Sequence, residues 1–263
     1  MTAKIKIGAL ISGGGTNLQA IIDACESGAI DGKMVFVGTD NPSAKGLKRA
    51  KHHNIPGFIV DYAAIIKQYK QNPESIILPD DFNLDKTIEK QTFFSSDHDD
   101  NTIKNFLLTR VAAESKLIKK MEPYDFDLLV LAGFMRNLTP YFIDKINTDP
   151  ENPRIMNIHP ALLPSFPGVD GYRDTFRYGC KVGGCTVHFI DYGEDSGPII
   201  GQKSYNIDKD NTLDDIKAKG LKKEWELYPE CIQLFAQNRL KTKKISYTLE
   251  NGTIVNRTIV LIK

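Results

Sequence analysis

The sequence predicts an α/β fold: a doubly wound, mostly parallel sheet with an antiparallel C-terminal part. Three observations carry this expectation. A β-branched apolar run at 5–11 ends in a glycine turn and passes into helical spacing. A second strand, a helix and a third strand follow by residue 60, which completes a β-α-β-α-β half. The run at 126–132 is the most continuously apolar in the chain, as a parallel strand buried on both faces requires.

The first strand leads into Ser12-Gly13-Gly14-Gly15-Thr16-Asn17, after which Leu18, Ile21, Ile22 and Cys25 recur at helical spacing. Glycines in such a turn let backbone N–H groups approach a ligand, and the N-terminus of the following helix favours an anion. Thr16 or Asn17 adds a hydroxyl or amide donor. No lysine follows Gly15, which disfavours a nucleoside triphosphatase. Gly13 and Gly15 fit the first two glycines of a dinucleotide fingerprint, and Asp40 closes the second strand at 34–39, but Leu18 stands where the third glycine or alanine belongs. On these residues alone a phosphate monoester and a dinucleotide both remain open.

A helix over 44–53 and a short strand over 57–60 follow. From 61 to about 100 the pattern dissolves: 63–69 holds a helical turn, while Asn72-Pro73, Pro79-Asp80-Asp81 and the acidic stretch at 95–100 read as loop. Ile103, Phe106, Leu107, Val111, Leu117 and Ile118 mark the buried face of a helix over 102–121. Ser96, Asp97, Asp99 and Asp100 suit its N-terminus, and His98 reads as part of that exposed acidic cap.

The central strand at 126–132 ends in Gly133-Phe134-Met135-Arg136, where open α/β sheets bind ligands beyond their carboxyl ends. A Phe, Met and Arg mouth suits a flat aromatic ring, although Phe134 and Met135 equally suit a core position ahead of a helix. A helix over 140–146 and a strand over 154–158 lead to Asn157-Ile158-His159-Pro160. With the carboxylate of Asp195, the amide and imidazole form a usable set: a donor for a developing oxyanion, a proton carrier, and a group that orients and charges the carrier.

Residues 160–177 read as loop, punctuated by Pro164, Pro167, Gly168 and Gly171. A strand over 184–190 places Val187 and Phe189 on one face and Thr186 and His188 on the other. An acidic turn over 191–198 precedes a strand over 199–205. A long helix follows 208–212 and reaches about 238, broken or bent near Pro229. Asn251-Gly252 between two alternating runs predicts a hairpin over 243–263.

Composition narrows the partners. The 34 basic and 33 acidic residues nearly cancel, so no strong field argues for nucleic acid or a membrane. Cys25, Cys180, Cys185 and Cys231 lack paired zinc spacing and read as reduced thiols. The apolar run after Met1 is too short for a signal peptide or a spanning helix, which makes the cytoplasm the expected location.

Taken together these motifs resemble the folate-dependent formyltransferase family. The resemblance is carried by Ile11-Ser12-Gly13-Gly14-Gly15-Thr16-Asn17-Leu18-Gln19-Ala20, Leu131-Ala132-Gly133-Phe134-Met135-Arg136, Asn157-Ile158-His159-Pro160-Ala161-Leu162-Leu163-Pro164, Gly184-Cys185-Thr186-Val187-His188-Phe189, Asp195-Ser196-Gly197-Pro198-Ile199-Ile200 and the stretch 224–229. These stand in the family's order over about 4–240. The glycine turn followed by Asn17-Leu18 points to the branch acting on glycinamide ribonucleotide.

The resemblance implies a Rossmann-like formyltransferase fold over 1–240 with an insertion at about 61–100, and an extra C-terminal β-hairpin extension at 241–263. It implies that Gly14, Gly15, Thr16 and Asn17 hold the substrate's 5′-phosphate and that Glu224 binds the ribose hydroxyls. Met135, Arg136, Asn137 and Leu138, with Asn157, Asp191 and Glu194, would frame the folate, and Asn157, His159 and Asp195 would be catalytic. The implied co-substrate is 10-formyltetrahydrofolate, with no metal, and the implied reaction formylates glycinamide ribonucleotide in de novo purine synthesis. A formyltetrahydrofolate hydrolase and a sugar-nucleotide formyltransferase are alternatives with the same triad. From other classes come a nicotinamide-dependent oxidoreductase using Gly13, Gly15 and Asp40, and a non-catalytic folate or phosphate sensor. Small molecules are the expected partners, and the exposed strands of the hairpin suggest a homodimer. Where the family carries an arginine that contacts the glutamate tail of folate, the corresponding neighbourhood here offers Asp97, His98 and Asp99, which leaves the tail contacts open.

Overall fold

A computed structural model describes residues 4–94 and 98–263, so the expected capping roles of Ser96 and Asp97 lie outside the described residues. Seven strands, β1 (Ile5–Ile11), β2 (Gly32–Thr39), β3 (Gly57–Ile59), β4 (Leu128–Leu131), β5 (Ile155–His159), β6 (Val182–Phe189) and β7 (Ile199–Asn206), form one sheet in the order β3-β2-β1-β4-β5-β6-β7. The first five are parallel and the last two antiparallel, as expected. The chain starts at β1, winds outward to β3 and returns to the other side of β1 at β4. That reversal opens a crevice beyond the carboxyl ends of β1 and β4. The two strand ends are tied together there: Ser12 N donates to Gly133 O at 2.9 Å and Met135 N donates to Ser12 Oγ at 2.9 Å.

Strand alternation divides the apolar side chains between two cores. Ile7, Ala9 and Ile11 of β1 pack with Leu18, Ile21 and Ile22 of α1 (Thr16–Ser27) and with Leu227, Tyr228 and Ile232 of α8 (Leu213–Ala236). Leu10, Leu129 and Leu131 face the opposite way, toward Leu117 of α5 (Asp100–Met121) and Phe142 and Ile143 of α6 (Pro140–Ile146). Each such side chain removed from water contributes on the order of 1.5–3 kcal/mol, which holds helices to both faces of the sheet.

Three expectations are corrected. The region at 61–100 is not mostly loop. It contains α3 (Tyr62–Gln71), a 3-10 turn (Pro73–Ser75) and α4 (Leu84–Lys90). Both helices are started by side-chain caps: Asp61 Oδ1 accepts from Ala64 N and Asn83 Oδ1 from Lys86 N, each at 2.9 Å. The short α4 buries only Thr87, so no apolar period announces it. The loop at 160–177 ends in α7 (Gly171–Arg177), again a seven-residue helix with little apolar face. Finally, α8 runs through Pro229 unbroken, because buried Tyr228, Cys231 and Ile232 hold the turns on either side of the missing N–H.

The tail is a separate two-stranded sheet, β8 (Leu240–Thr248) and β9 (Ile254–Ile262), in antiparallel register from Leu240↔Ile262 to Thr248↔Ile254. Its turn uses Gly252 at φ 83°, with Gly252 N donating to Leu249 O at 2.9 Å. Thr242 Oγ1 anchors it to Glu151 O at 2.6 Å. No helix among the described residues is long and apolar enough to cross a membrane.

Candidate active site

Asn157 and His159 stand two residues apart on β5, so their side chains leave the same face. Antiparallel register sets His188 of β6 opposite Asn157 and Thr186 opposite His159. His159 is buried at 3% exposure, with Nδ1 at 3.1 Å from Asp195 Oδ2 and Nε2 at 2.7 Å from Phe166 O. The expected meeting of His159 and Asp195 therefore occurs. Asp195 has a positive φ of 49°, a conformation costing a non-glycine residue about 1 kcal/mol, and its carboxylate accepts from Gly168 N at 2.8 Å. His188 Nε2 lies 3.6 Å from Asp195 Oδ1 and 3.4 Å from Asn157 Nδ2, while His188 Nδ1 is 2.9 Å from Phe189 O. With Nδ1–H donating to that carbonyl, Nε2 is left to accept from the Asn157 amide and orient it.

Both ring nitrogens of His159 face acceptors, a carboxylate and a carbonyl, and only the imidazolium can donate to both. Burial works against that charge, but the hydrogen bond and charge of Asp195, together with the Phe166 carbonyl, outweigh it and raise the pKa above the usual imidazole value. For Asp195, burial favours the neutral acid. The hydrogen bond and charge of His159, with the hydrogen bond from Gly168 N, outweigh it and hold the carboxyl well below the carboxylate range. The pair is thus an imidazolium and a carboxylate near neutral pH.

One cleft holds this pair together with Asn17, Glu224 and the predicted folate residues, whereas Gly14, Gly15 and Thr16 of the predicted phosphate turn are not part of its lining. At one end it is lined by Asn17, Tyr172 and Glu224. Asn17 Nδ2 donates to Glu224 Oε2 at 2.6 Å, and Tyr172 Oη donates to Glu224 Oε1. Burial raises the Glu224 pKa, against the lowering effect of these two donors. Glu224 comes from α8, whose Tyr228 one turn later donates to Met156 O at 2.8 Å and Leu131 O at 3.2 Å. The helix is therefore pinned under the ends of β4 and β5. Gly14 and Thr16 are exposed in the turn before α1, and Gly15 sits at its N-cap with φ 70°. Arg49 Nε donates to Gly14 O at 2.9 Å and steadies that turn.

The other end is lined by Met135, Arg136, Asn137 and Leu138, facing Asp191, Gly193 and Glu194. Met135 is 57% exposed, which settles its two readings in favour of a surface at the mouth, whereas Phe134 is buried in the core. Asn137 Nδ2 donates to Glu194 Oε1 at 3.2 Å across the cleft. Arg136 Nε pairs with Asp40 Oδ2 at 2.5 Å. Asp40 is 2% exposed, so the acid a dinucleotide site would offer to a ribose is committed to an ion pair beneath the surface. This removes the basis of the oxidoreductase alternative.

Arg110, on α5, has its guanidinium 5.4 Å from the Tyr62 ring centroid and 4.8 Å from that of Phe106. Its Nε and Nη1 have no hydrogen-bond partner among the described residues. Asp99 instead caps α5, accepting from Asn101 N at 2.8 Å, and His98 is exposed with its ring 5.1 Å from Phe94. Sequence reasoning also missed His188, Tyr172, Tyr228 and Arg49. Alternation placed His188 with Thr186 on one face, but the pairing opposite Asn157 depends on a β5–β6 register that no local pattern reveals. Among the described residues, Asp23, Glu26 and His53 bring possible metal-ligand atoms within 4.8 Å of one another, but none of the three lines the cleft.

Comparison with known proteins agrees with this geometry. The formyl transferase family profile matches residues 5–232. The chain is 32% identical to a phosphoribosylglycinamide formyltransferase of Haemophilus influenzae, covering 90% of each chain. It is 33% identical to that of Escherichia coli, covering 88% of this chain and 87% of the other. Among solved structures, glycinamide ribonucleotide transformylase 1 from Symbiobacterium toebii superposes with a TM-score of 0.71 at 33% identity, over 100% of this chain and 95% of that one. The chain belongs to the formyl transferase family.

Proposed function

We propose that this enzyme transfers the formyl group of 10-formyltetrahydrofolate to the primary amine of glycinamide ribonucleotide, in de novo purine synthesis. The observation that carries the reading is the single cleft that Asn157, His159 and Asp195 share with Asn17, Tyr172 and Glu224 and with 135–138, Asp191 and Glu194. The first end suits a phosphorylated ribose. Backbone N–H groups at Gly14, Gly15 and Thr16 with Asn17 meet the 5′-phosphate, and the Glu224 carboxylate accepts from ribose hydroxyls. The second suits the folate, framed by Met135, Arg136, Asn137, Leu138, Asn157, Asp191 and Glu194. The unpartnered Arg110 donors support a role toward carboxylates of the glutamate tail.

In the reaction the glycinamide nitrogen attacks the formyl carbon, a C–N bond forms, and the formyl oxygen gains negative charge. Asn157 Nδ2 donates to that oxygen, and the His159 imidazolium does so once its Nε2–H turns from the Phe166 carbonyl to the substrate, each well-placed donor being worth roughly a hundredfold to a thousandfold. The bond from the formyl carbon to folate N10 then breaks, and a proton passes from the attacking nitrogen to N10. Asp195 keeps His159 charged and serves this transfer through water. The test is purified protein with 10-formyltetrahydrofolate, with and without glycinamide ribonucleotide, followed at the folate absorbance. Turnover only with the ribonucleotide is expected; equal turnover without it identifies a hydrolase instead.

We read residues 1–240 as the formyltransferase unit with its insertion at about 61–100, and 241–263 as an added hairpin. We further propose a cytoplasmic homodimer whose contact is the hairpin, on which Tyr247, Leu249 and Ile254 are exposed. A chain ending at Leu240 should then elute from gel filtration at about half the apparent mass. An unchanged apparent mass removes the dimer.

A further inference from the structure

We infer that the insertion fixes the folate wall of the cleft, with Lys90 and Thr92 as positioning residues for the turn at 191–195. This rests on the folate reading proposed above. The turn presents Asp191, Gly193, Glu194 and Asp195 to the cleft, yet its own hydrogen bonds are few: Asp191 Oδ1 accepts from Gly193 N at 3.1 Å and Ser196 Oγ at 2.7 Å. What holds its outer side comes from the stretch between β3 and α5. Thr92 N donates to Tyr192 O at 3.0 Å. A Cβ on Gly193 would stand 2.2 Å from Ser196 Oγ and 2.8 Å from Thr92 Oγ1, so the missing side chain leaves room for both hydroxyls against the turn.

Lys90, at the end of α4, completes the grip. Its Nζ is 2.5 Å from Asp144 Oδ2 on α6 and 5.4 Å from the Tyr192 ring centroid, while Tyr192 Oη donates to Asp144 Oδ1 at 2.5 Å. One carboxylate thus links the insertion, α6 and the turn. A second tie runs beside it: Asp81 accepts from Tyr141 Oη at 3.2 Å and from Lys145 Nζ, and the Phe82 ring meets Tyr141 edge-on at 5.9 Å. The insertion therefore grips α6 at two points and the turn at two more. Since α6 begins just after Leu138, both walls of the folate end are braced by the same segment.

Steady-state kinetics on the full chain test this. Lys90→Met keeps the aliphatic stem and removes the charge. It should raise KM for 10-formyltetrahydrofolate about three- to tenfold, the worth of an exposed ion pair with a cation–π contact. KM for glycinamide ribonucleotide and kcat should stay within about twofold, because Asp195 keeps its own ties to Gly168 N and His159 and only uniform folate binding is lost. Tyr192→Phe should act in the same direction, and Lys90→Arg should restore the wild-type KM. An unchanged folate KM in Lys90→Met overturns the inference, as does an equal rise in both KM values with a lowered melting temperature. A wild-type protein that transfers no formyl group instead refutes the functional reading on which the inference rests.

Discussion

Asp195→Asn is the perturbation with the most to reveal. Asparagine keeps the shape and one acceptor oxygen, so Gly168 N retains its partner and the turn keeps its path. What disappears is a negative charge 3.1 Å from the His159 ring. Burial, which Asp195 now overcomes, is then opposed only weakly, and the His159 pKa falls. At neutral pH the ring loses its second proton, and with it one oxyanion donor and the proton carrier. Those losses are worth about 10²- to 10⁴-fold in kcat, or roughly 3–5 kcal/mol of barrier. Because neither substrate end of the cleft is touched, both KM values should move by less than about threefold. The pH profile carries the sharper signature. In the wild type the rate falls as pH rises through the raised His159 pKa, and in Asp195→Asn that limb shifts to lower pH. Formyl transfer measured across pH 5–10, with circular dichroism as the folding control, checks both effects. A kcat within tenfold of wild type, or an alkaline limb that does not move, refutes the role given to the pair.

Glu224→Gln should raise KM for glycinamide ribonucleotide about tenfold with little change for the folate, as the loss of one charged hydrogen-bond acceptor predicts; initial rates at varied ribonucleotide measure it. Glu114 predicts a pH dependence of stability. It is fully buried, and burial lifts its pKa to about 7 despite donation from Thr139 N and Oγ1. A raised carboxyl pKa means the folded state holds the proton more tightly than the unfolded chain. The contribution is therefore complete below the unfolded value of 4.5 and is lost as pH rises to about 7. That loss is about 3 kcal/mol, and Glu114→Gln should flatten it in melting curves recorded between pH 4.5 and 8.

The fold was legible where one pattern decided it. The glycine turn after Ile11, the apolar run at 126–132 and the alternation from Thr186 to Phe189 each required a strand or a turn, and each formed one. Segments α4 and α7 were not legible, because seven residues with one or two buried positions leave no period to read, and only α4 has a capping side chain, Asn83. The site divides in the same way. Asn157 and His159 announce themselves at a strand's carboxyl end, whereas Asp195 is joined to them only by a turn with positive φ. His188 depends on register, Tyr172 on the packing of α7 against α8 that brings it to Glu224, and Arg110 on a helix face shared with ordinary core residues. Sequence patterns report what a residue does along its own element, and these three act across elements.

The most direct measurement of the account is a crystal structure with glycinamide ribonucleotide and a folate analogue whose N10 substituent cannot be transferred. The account predicts the 5′-phosphate on the turn Gly14–Asn17, the pterin between 135–138 and 191–194, and the glycinamide nitrogen about 3–3.5 Å from the position of the formyl carbon, beside His159. Two ligands held in separate sites, or a folate bound away from Asn157, His159 and Asp195, would contradict it.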